Sequence, residues 1–339
     1  MASTSSLPQT VTAGMCRTEL VALKDLTPAL FDAWQDLVPY AEPNVFGEPW
    51  LAEISLRLLP AEGTQIAIVR DDAQRLIGIA PIHHGRLLGR NPLMCAGIWS
   101  HPNSFVVQAT AREGHEAAFW EALLIALASS RHGQALVIDQ MVAASRLHLG
   151  LVAAARRLRL PIETERAWKR AMIATDLSAE AYWEAAVRAK KRKELRRQWA
   201  RFAEQGEVAH QVAANSADVA AWIADFLALE RQGWKGEEGS ALDCDPANRA
   251  WFAEVIAGAF ARGQADLIAL RLDGRPIAML ATLISGNAGF SFKTAFDESF
   301  SRFSPGVLLQ RAALDRIAER KLAWVDSCAA PDHPMIDSL

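Results

Sequence analysis

Two stretches with the same pattern constrain this fold more than anything else in the chain. "TQIAIVRDDAQRLIGIAPIHH" and "ADLIALRLDGRPIAMLATLIS" each read as two apolar strands about a tight polar turn, Asp71-Asp72 in the first and Asp273-Gly274 in the second. Similar elements surround both. In the first half the strand "TELVALKDL" and the helices "PALFDAWQDLV" and "EPWLAEISLRLL" come before the strand pair. The strand "NPLMCAGIW", the helix "REGHEAAFWEALLIALASS", the strand "QALVIDQM" and the helix "SRLHLGLVAAARRLR" come after it. In the second half the strand "AMIATDL" leads into one helix capped by Ser178 and running to about Gln205. The helices "VAAWIADFLALERQGW" and "PANRAWFAEVIAGAFARG" follow, then the strand pair, the strand "NAGFSFKTAF", the helix "SPGVLLQRAALDRIAERK" and the strand "LAWVDSC". The repeat is one of element order, without residue-level identity. A chain of 339 residues exceeds what one core usually serves. The pattern therefore predicts a mixed α/β protein of two domains, 1–167 and 168–339, parting near Ala167.

Composition narrows the function classes. Hydrophobic residues are 51% and charged residues 22%, a globular balance, and no apolar run approaches the ~20 residues of a membrane span. The polar start "MASTSSLPQTVTAG" lacks the basic and apolar regions of a signal peptide and reads as a frayed tail. Cys16, Cys95, Cys244 and Cys328 form no C-x-x-C pair, which argues against a zinc knuckle or a disulfide framework and suits the cytoplasm. His83-His84 lacks a second ligand cluster, so no metal site is predicted. G-x-S-x-G, Walker A, H-E-x-x-H and G-x-G-x-x-G are all absent.

One stretch departs from this balance. "RAKKRKELRRQWARF" holds eight basic residues between Arg188 and Arg201, although the whole chain carries a net charge of −3. A dedicated nucleic-acid binder is usually basic over a whole domain, so the cations serve something local. On a helix Leu195, Trp199 and Phe202 share an apolar face, with Arg188, Lys191 and Arg192 continuing it and Lys190, Lys193 and Arg197 opposite. The first set is predicted to line a cleft.

Further signals lie downstream. In "FSFKTAFDESFSRFSPGVLLQRA" a strand gives way to a polar loop and a helix opening at Ser304-Pro305-Gly306. Gly306 inside a helix costs about 1 kcal/mol against Ala, a cost that close approach of a ligand would justify. The free N–H groups and dipole of such a helix start suit a phosphate. "LERQGWKGEEGSALD" sets Glu230, Trp234 and Lys235 among glycines, as in a binding wall. "AWVDSCAAPDHPMID" leaves a strand end with Asp326, Asp332 and His333, a place where α/β sheets often present site residues.

These segments, taken in order, resemble the GNAT-superfamily acyltransferases of the CelD-like and BioF2-like group, relatives of the FemAB and FemX transferases. The unit from Lys293 to Ser304-Pro305-Gly306 is its most specific piece. The resemblance covers the second half well and the first more loosely, through "NVFGEPWLAEI" and "RLIGIAPIHH". It implies an α/β fold of two tandem GNAT-like domains, with the second binding an acyl-CoA and the first none. It also implies transfer of an acyl group from a thioester to an amine or hydroxyl acceptor, without a metal. Under this resemblance the pyrophosphate rests on the N–H groups of Gly306, Val307 and Leu308, near Ser304, with charge from Lys293 and Arg302. Arg188, Lys191, Arg192, Trp234 and Lys235 face substrate, and the candidate bases are Asp326, Asp332, His333 and Glu230. An aminoacyl-tRNA donor and a non-catalytic module of a polysaccharide or export system stay open as alternatives. Two departures stand out. The usual pyrophosphate loop is replaced by Arg302-Phe303-Ser304-Pro305-Gly306-Val307, and the chain stops soon after Asp326, where closing elements are expected.

Overall fold

A computed structural model of the chain describes residues 9–13, 16–87, 93–130 and 133–330. The chain divides into two compact units, residues 1–165 and 166–339.

The first unit contains β1 (Gln9–Ala13), β2 (Cys16–Ala22), α1 (Pro28–Leu37), α2 (Pro49–Leu58), β3 (Gln65–Asp71), β4 (Leu76–Leu87) and β5 (Leu93–Ile98). It continues through β6 (Thr110–Ala111), α3 (Glu116–Ala128), β7 (Ala135–Val137) and α4 (Arg146–Leu158). The sheet order is β1-β2-β3-β4-β5-β7, with β6 also on β4. All pairs are antiparallel except β5 with β7. Part of the expected frayed tail is in fact β1. It gains a full antiparallel partner in β2, from Gln9 opposite Leu20 to Ala13 opposite Cys16.

The second unit begins with β8 (Met172–Ala174), α5 (Ala179–Ala186), α6 (Ala189–Ala203), β9 (Val208–Val212), α7 (Ser216–Gln232), α8 (Trp234–Glu237) and α9 (Pro246–Ala261). Then come β10 (Ala265–Leu272), β11 (Arg275–Ser285), β12 (Ala288–Phe296), α10 (Pro305–Glu319) and β13 (Trp324–Asp326). The sheet order is β8-β13-β12-β11-β10-β9. Asp273 and Gly274, at φ 49° and 78°, make the β10–β11 turn, since both central residues of such a hairpin need the left-handed region. The helices α5, α6 and α10 share one core with the β10 and β11 side chains beneath them, including Trp183, Leu195, Phe202, Leu270 and Leu309. Aromatic residues of α7 and α9 pack together, Phe226 against Phe252 at 5.0 Å, and Trp251 of α9 meets Phe292 of β12 at 5.9 Å. That places the two helix groups on opposite faces of the sheet.

Two expectations for this unit need correction. The helix predicted from Ser178 to Gln205 breaks at Val187 into α5 and α6. Val187 adopts an extended conformation and is 2% exposed, so the break buries an apolar side chain. Arg192 holds the corner, because its guanidinium donates to the backbone carbonyls of Glu184 and Val187, both at 2.6 Å. The closing strand expected after Asp326 comes instead from earlier in the chain. β8 pairs antiparallel with β13, Met172 opposite Asp326, and covers that edge.

The α5–α6 corner gives the first test. Arg192→Ala should cost about 1.5–3 kcal/mol in urea denaturation, the scale of hydrogen bonds from a charged donor. Lys190→Ala, on the exposed side of the same helix, should shift stability by less than about 0.5 kcal/mol. Equal effects would contradict the capping role of Arg192.

Candidate active site

The site is organised by a fork in the second sheet. β12 and β13 run parallel for three residue pairs, Ala288–Trp324, Gly289–Val325 and Phe290–Asp326. β13 ends there, while β12 continues to Phe296. On that side residues 291–296 of β12 have no strand partner, so backbone donors and acceptors line an open edge.

Two devices hold the fork in place. Arg170 binds Asp326 in a fork-to-fork ion pair, Nε to Oδ1 at 2.7 Å and Nη2 to Oδ2 at 2.7 Å, with both side chains mostly buried. Asp326 also accepts the Cys328 N–H at 2.8 Å, which turns the chain away from β12. The second device is a β-bulge. Thr282 of β11 faces Ser291 and Ala281 faces Lys293, leaving Phe292 as the extra residue. The bulge re-aims the strand. Ser291 lines a cleft with Gln310 and Leu314 of α10, whereas Phe292 meets Trp251 on the other face. The Lys293 ammonium lies 5.6 Å from the Phe292 ring centre, on that second face.

On the α7 side the fork carries charge. Burial, joined by the nearby Lys235 ammonium, lowers the pKa of Lys293 from the usual 10.5 to about 8, against opposing pulls from Glu230 and Cys328. Burial pushes the Cys328 thiol well up, and Asp326 adds to the shift. Glu230, 5% exposed near the end of α7, accepts from Lys235 Nζ at 2.8 Å and from the Leu242 N–H at 2.9 Å. The loop after α7 is thereby pinned. It includes the short helix α8, whose Trp234 N–H donates to Glu298 Oε1 at 3.0 Å. Gly236 permits the tight return, since a Cβ there would stand 1.8 Å from the Arg231 carbonyl oxygen. Trp234 is 51% exposed and Lys235 reaches back over it, so this loop presents an aromatic wall.

On the α10 side the fork opens into an apolar cleft. It encloses about 570 Å³, open mouth included, and Ile173, Tyr182, Trp183 and Leu314 form much of its wall. At the start of α10 Ser304 sits in the left-handed region (φ 54°, ψ 50°) and its side chain caps nothing. Its carbonyl instead accepts the Leu308 N–H at 3.1 Å. Arg302 lies with its guanidinium 4.6 Å from the Phe303 ring centre, at the exposed approach to this helix.

These positions revise the sequence-predicted site. Of the candidate bases, Asp326 is bound by Arg170 and the Cys328 N–H, and Glu230 by Lys235 and the Leu242 N–H. Asp332 and His333 lie outside the described residues. The Leu308 N–H is committed to the Ser304 carbonyl, so it is not among the free N–H groups expected at this helix start. Lys293 joins Lys235 and Glu230, not the start of α10. Lys191 and Arg192 do occupy the half-buried side of α6, and Lys190, Lys193 and Arg197 are exposed as predicted. Arg192 is spent on carbonyls, Lys191 sits 3.6 Å from Glu194, and Arg188 is exposed at the helix start. His84 lies 3.2 Å from the Gln65 side chain. Among the described residues no group of three or more His, Cys, Asp or Glu could hold a metal ion, and no helix is long and apolar enough to cross a membrane. Sequence reasoning missed Arg170 and Gln310. Gln310 could have been noticed as a polar residue on the stripe of Val307 and Leu314, while nothing local marks Arg170 as the partner of Asp326.

With this geometry in place, the comparisons with known proteins take on structural meaning. Residues 189–333 match a family model described as an acetyltransferase (GNAT) domain. The match lies within the second unit. Among solved structures the chain is similar to FemX, with a TM-score of 0.57 and 11% identity over 90% of this chain and 88% of that one. It is also similar to a tandem GNAT protein from the clavulanic acid biosynthesis pathway, at TM-score 0.45 and 18% identity over 94% of this chain and 92% of that one. A conserved protein of unknown function from Bacteroides thetaiotaomicron VPI-5482 is similar too, at TM-score 0.48 and 13% identity over 89% of this chain and 88% of that one. No curated protein matches the sequence. At such low identity the likeness to FemX speaks for the fold, which is α/β with two GNAT-like units.

The lowered pKa of Lys293 gives the second test. Below pH 8 the folded chain carries Lys293 charged at a burial penalty. Between about pH 8 and 10.5 it holds fewer protons there than the unfolded chain, so stability rises with pH across that window. The unfolding free energy of the wild type relative to Lys293→Met should therefore climb by about 1–3 kcal/mol from pH 7.5 to 10.5. A flat difference would show that Lys293 titrates normally.

Proposed function

We propose that the protein is a cytoplasmic acyltransferase of the CelD-like and BioF2-like group, moving an acyl group from a CoA thioester to an amine or hydroxyl acceptor. The observation that carries this reading is the fork. An unpaired β12 edge, an uncapped helix start and an apolar cleft occur together inside the stretch that matches the acetyltransferase domain. Each part suits one portion of an acyl-CoA. The Gly306 and Val307 N–H groups suit the pyrophosphate, with Arg302 near the approach. The free backbone groups of residues 291–296 suit the amides of the pantetheine arm. The first unit serves substrate binding or structure.

In the transfer a neutral amine attacks the thioester carbonyl, the new bond forms as the carbonyl oxygen becomes an oxyanion, and the thiolate leaves. A free β12 N–H can donate to that oxyanion, and the nearby Lys293 ammonium adds positive charge. With Asp326 and Glu230 committed elsewhere, Asp332 and His333 are the remaining candidates for taking the amine proton. Trp234 and Lys235 form the acceptor wall, and Arg188 and Lys191 attract an anionic part of either substrate.

A second reading has its own observation. On α6 no hydrogen bond or ion pair is seen for Lys190, Lys193, Arg196, Arg197 or Arg201 among the described residues, and all five are exposed. An aminoacyl-tRNA donor would use such a surface, and its binding would weaken steeply with salt.

Titration calorimetry separates the readings. One CoA per chain should bind, and a folded Gly306→Val variant should bind it at least tenfold more weakly, about 1.4 kcal/mol. Asp332→Ala or His333→Ala should keep CoA affinity while losing turnover. Unchanged CoA affinity in Gly306→Val, or salt-sensitive tRNA binding with no CoA binding, would contradict the CoA reading.

A further inference from the structure

The cleft on the α10 face is lined mainly by apolar side chains. Ile173, Tyr182, Trp183, Val187 and Leu314 line it, and Trp183 and Val187 are themselves buried in the unit's core. The walls are fixed from several directions. Arg311 of α10 pairs with Glu180 of α5 at 2.7 Å, and Arg316 pairs with Asp266 of β10 at 2.7 Å.

One polar group breaks the apolar lining in a telling way. Gln310 is 7% exposed, lines the cleft, and its side-chain amide makes no hydrogen bond among the described residues. Ser291, the first residue of β12 beyond the fork, lies on the same wall. The cleft therefore combines a polar spot beside the fork with an apolar chamber leading away from it. Met172 stands at the rim, 58% exposed, and its flexible thioether can fold over chains of differing length.

Resting on the acyl-thioester reading, we infer that the donor's acyl group is an extended aliphatic chain. The chain lies in this cleft against Ile173, Trp183 and Leu314, and Gln310 takes a polar group of the donor at the chain's root. An acetyl group would leave the chamber to water against apolar walls, whereas a longer chain displaces that water.

The test is a calorimetric series on the full-length protein with CoA, acetyl-CoA, butyryl-CoA, hexanoyl-CoA and octanoyl-CoA. Each buried methylene should tighten binding about fourfold until the cleft is full. Ile173→Trp, which fills the chamber, should flatten the gain in affinity from acetyl-CoA to octanoyl-CoA. Gln310→Leu should weaken every acyl-CoA relative to free CoA. If CoA and acetyl-CoA bind and longer chains bind no tighter, the inference fails while the thioester reading stands. If no member of the series binds, CoA included, both fail together. The wild-type series decides the question even where a variant does not fold.

Discussion

The parallel pairing of β12 and β13 stops after Phe290 and Asp326, and the site depends on that stop. A sheet normally satisfies its backbone groups across every gap, so an open edge persists only if something prevents closure. Here the Arg170–Asp326 pair takes the end of β13, and the Cys328 N–H bonded to Asp326 turns the following chain aside. β8 covers the far edge of β13 and supplies Arg170 just before it. Replacing either charge would leave the other mostly buried without its partner, a large penalty for a mostly buried pair. The fork is thus a structural commitment, made with residues that a catalytic reading of the sequence would have spent elsewhere.

The bulge at Phe292 divides the work between the faces. A regular strand would alternate Ser291, Phe292 and Lys293 across the sheet. The extra residue brings Phe292 and Lys293 to the α7 side and leaves Ser291 with α10. Charged groups and the apolar cleft then lie on separate faces joined at the fork. Lys293, Lys235 and Glu230 lie on one side, with an apolar chamber on the other. Charged groups near an apolar channel would otherwise raise the cost of burying either.

Much of this was legible in the chain, because local chemistry fixed it. The hairpin at Asp273-Gly274, the helix opened by Pro305, and the strand "NAGFSFKTAF" carry their own signals in turn residues and periodicity. What escaped reading depends on distant partners. The break at Val187 lies within a continuous helical pattern, and only the packing of Val187 and the carbonyls facing Arg192 explain it. β9 is short and mostly exposed, so it lacks the alternation that would mark a strand. The site residues divide in the same way. Gly306 is marked by its position in a helix, whereas Arg170, which binds Asp326, lies 156 residues away in sequence, and Leu242, which donates to Glu230, lies 12 away.

The central claim is that the open edge of β12 and the start of α10 hold the donor together. Hydrogen–deuterium exchange with and without CoA addresses both at once, because it reads individual backbone amides. The account predicts that CoA slows exchange within residues 291–296 and at Gly306 and Val307, with little change in the first unit. Protection confined to α6 or to the first unit, with residues 291–296 exchanging as before, would contradict it.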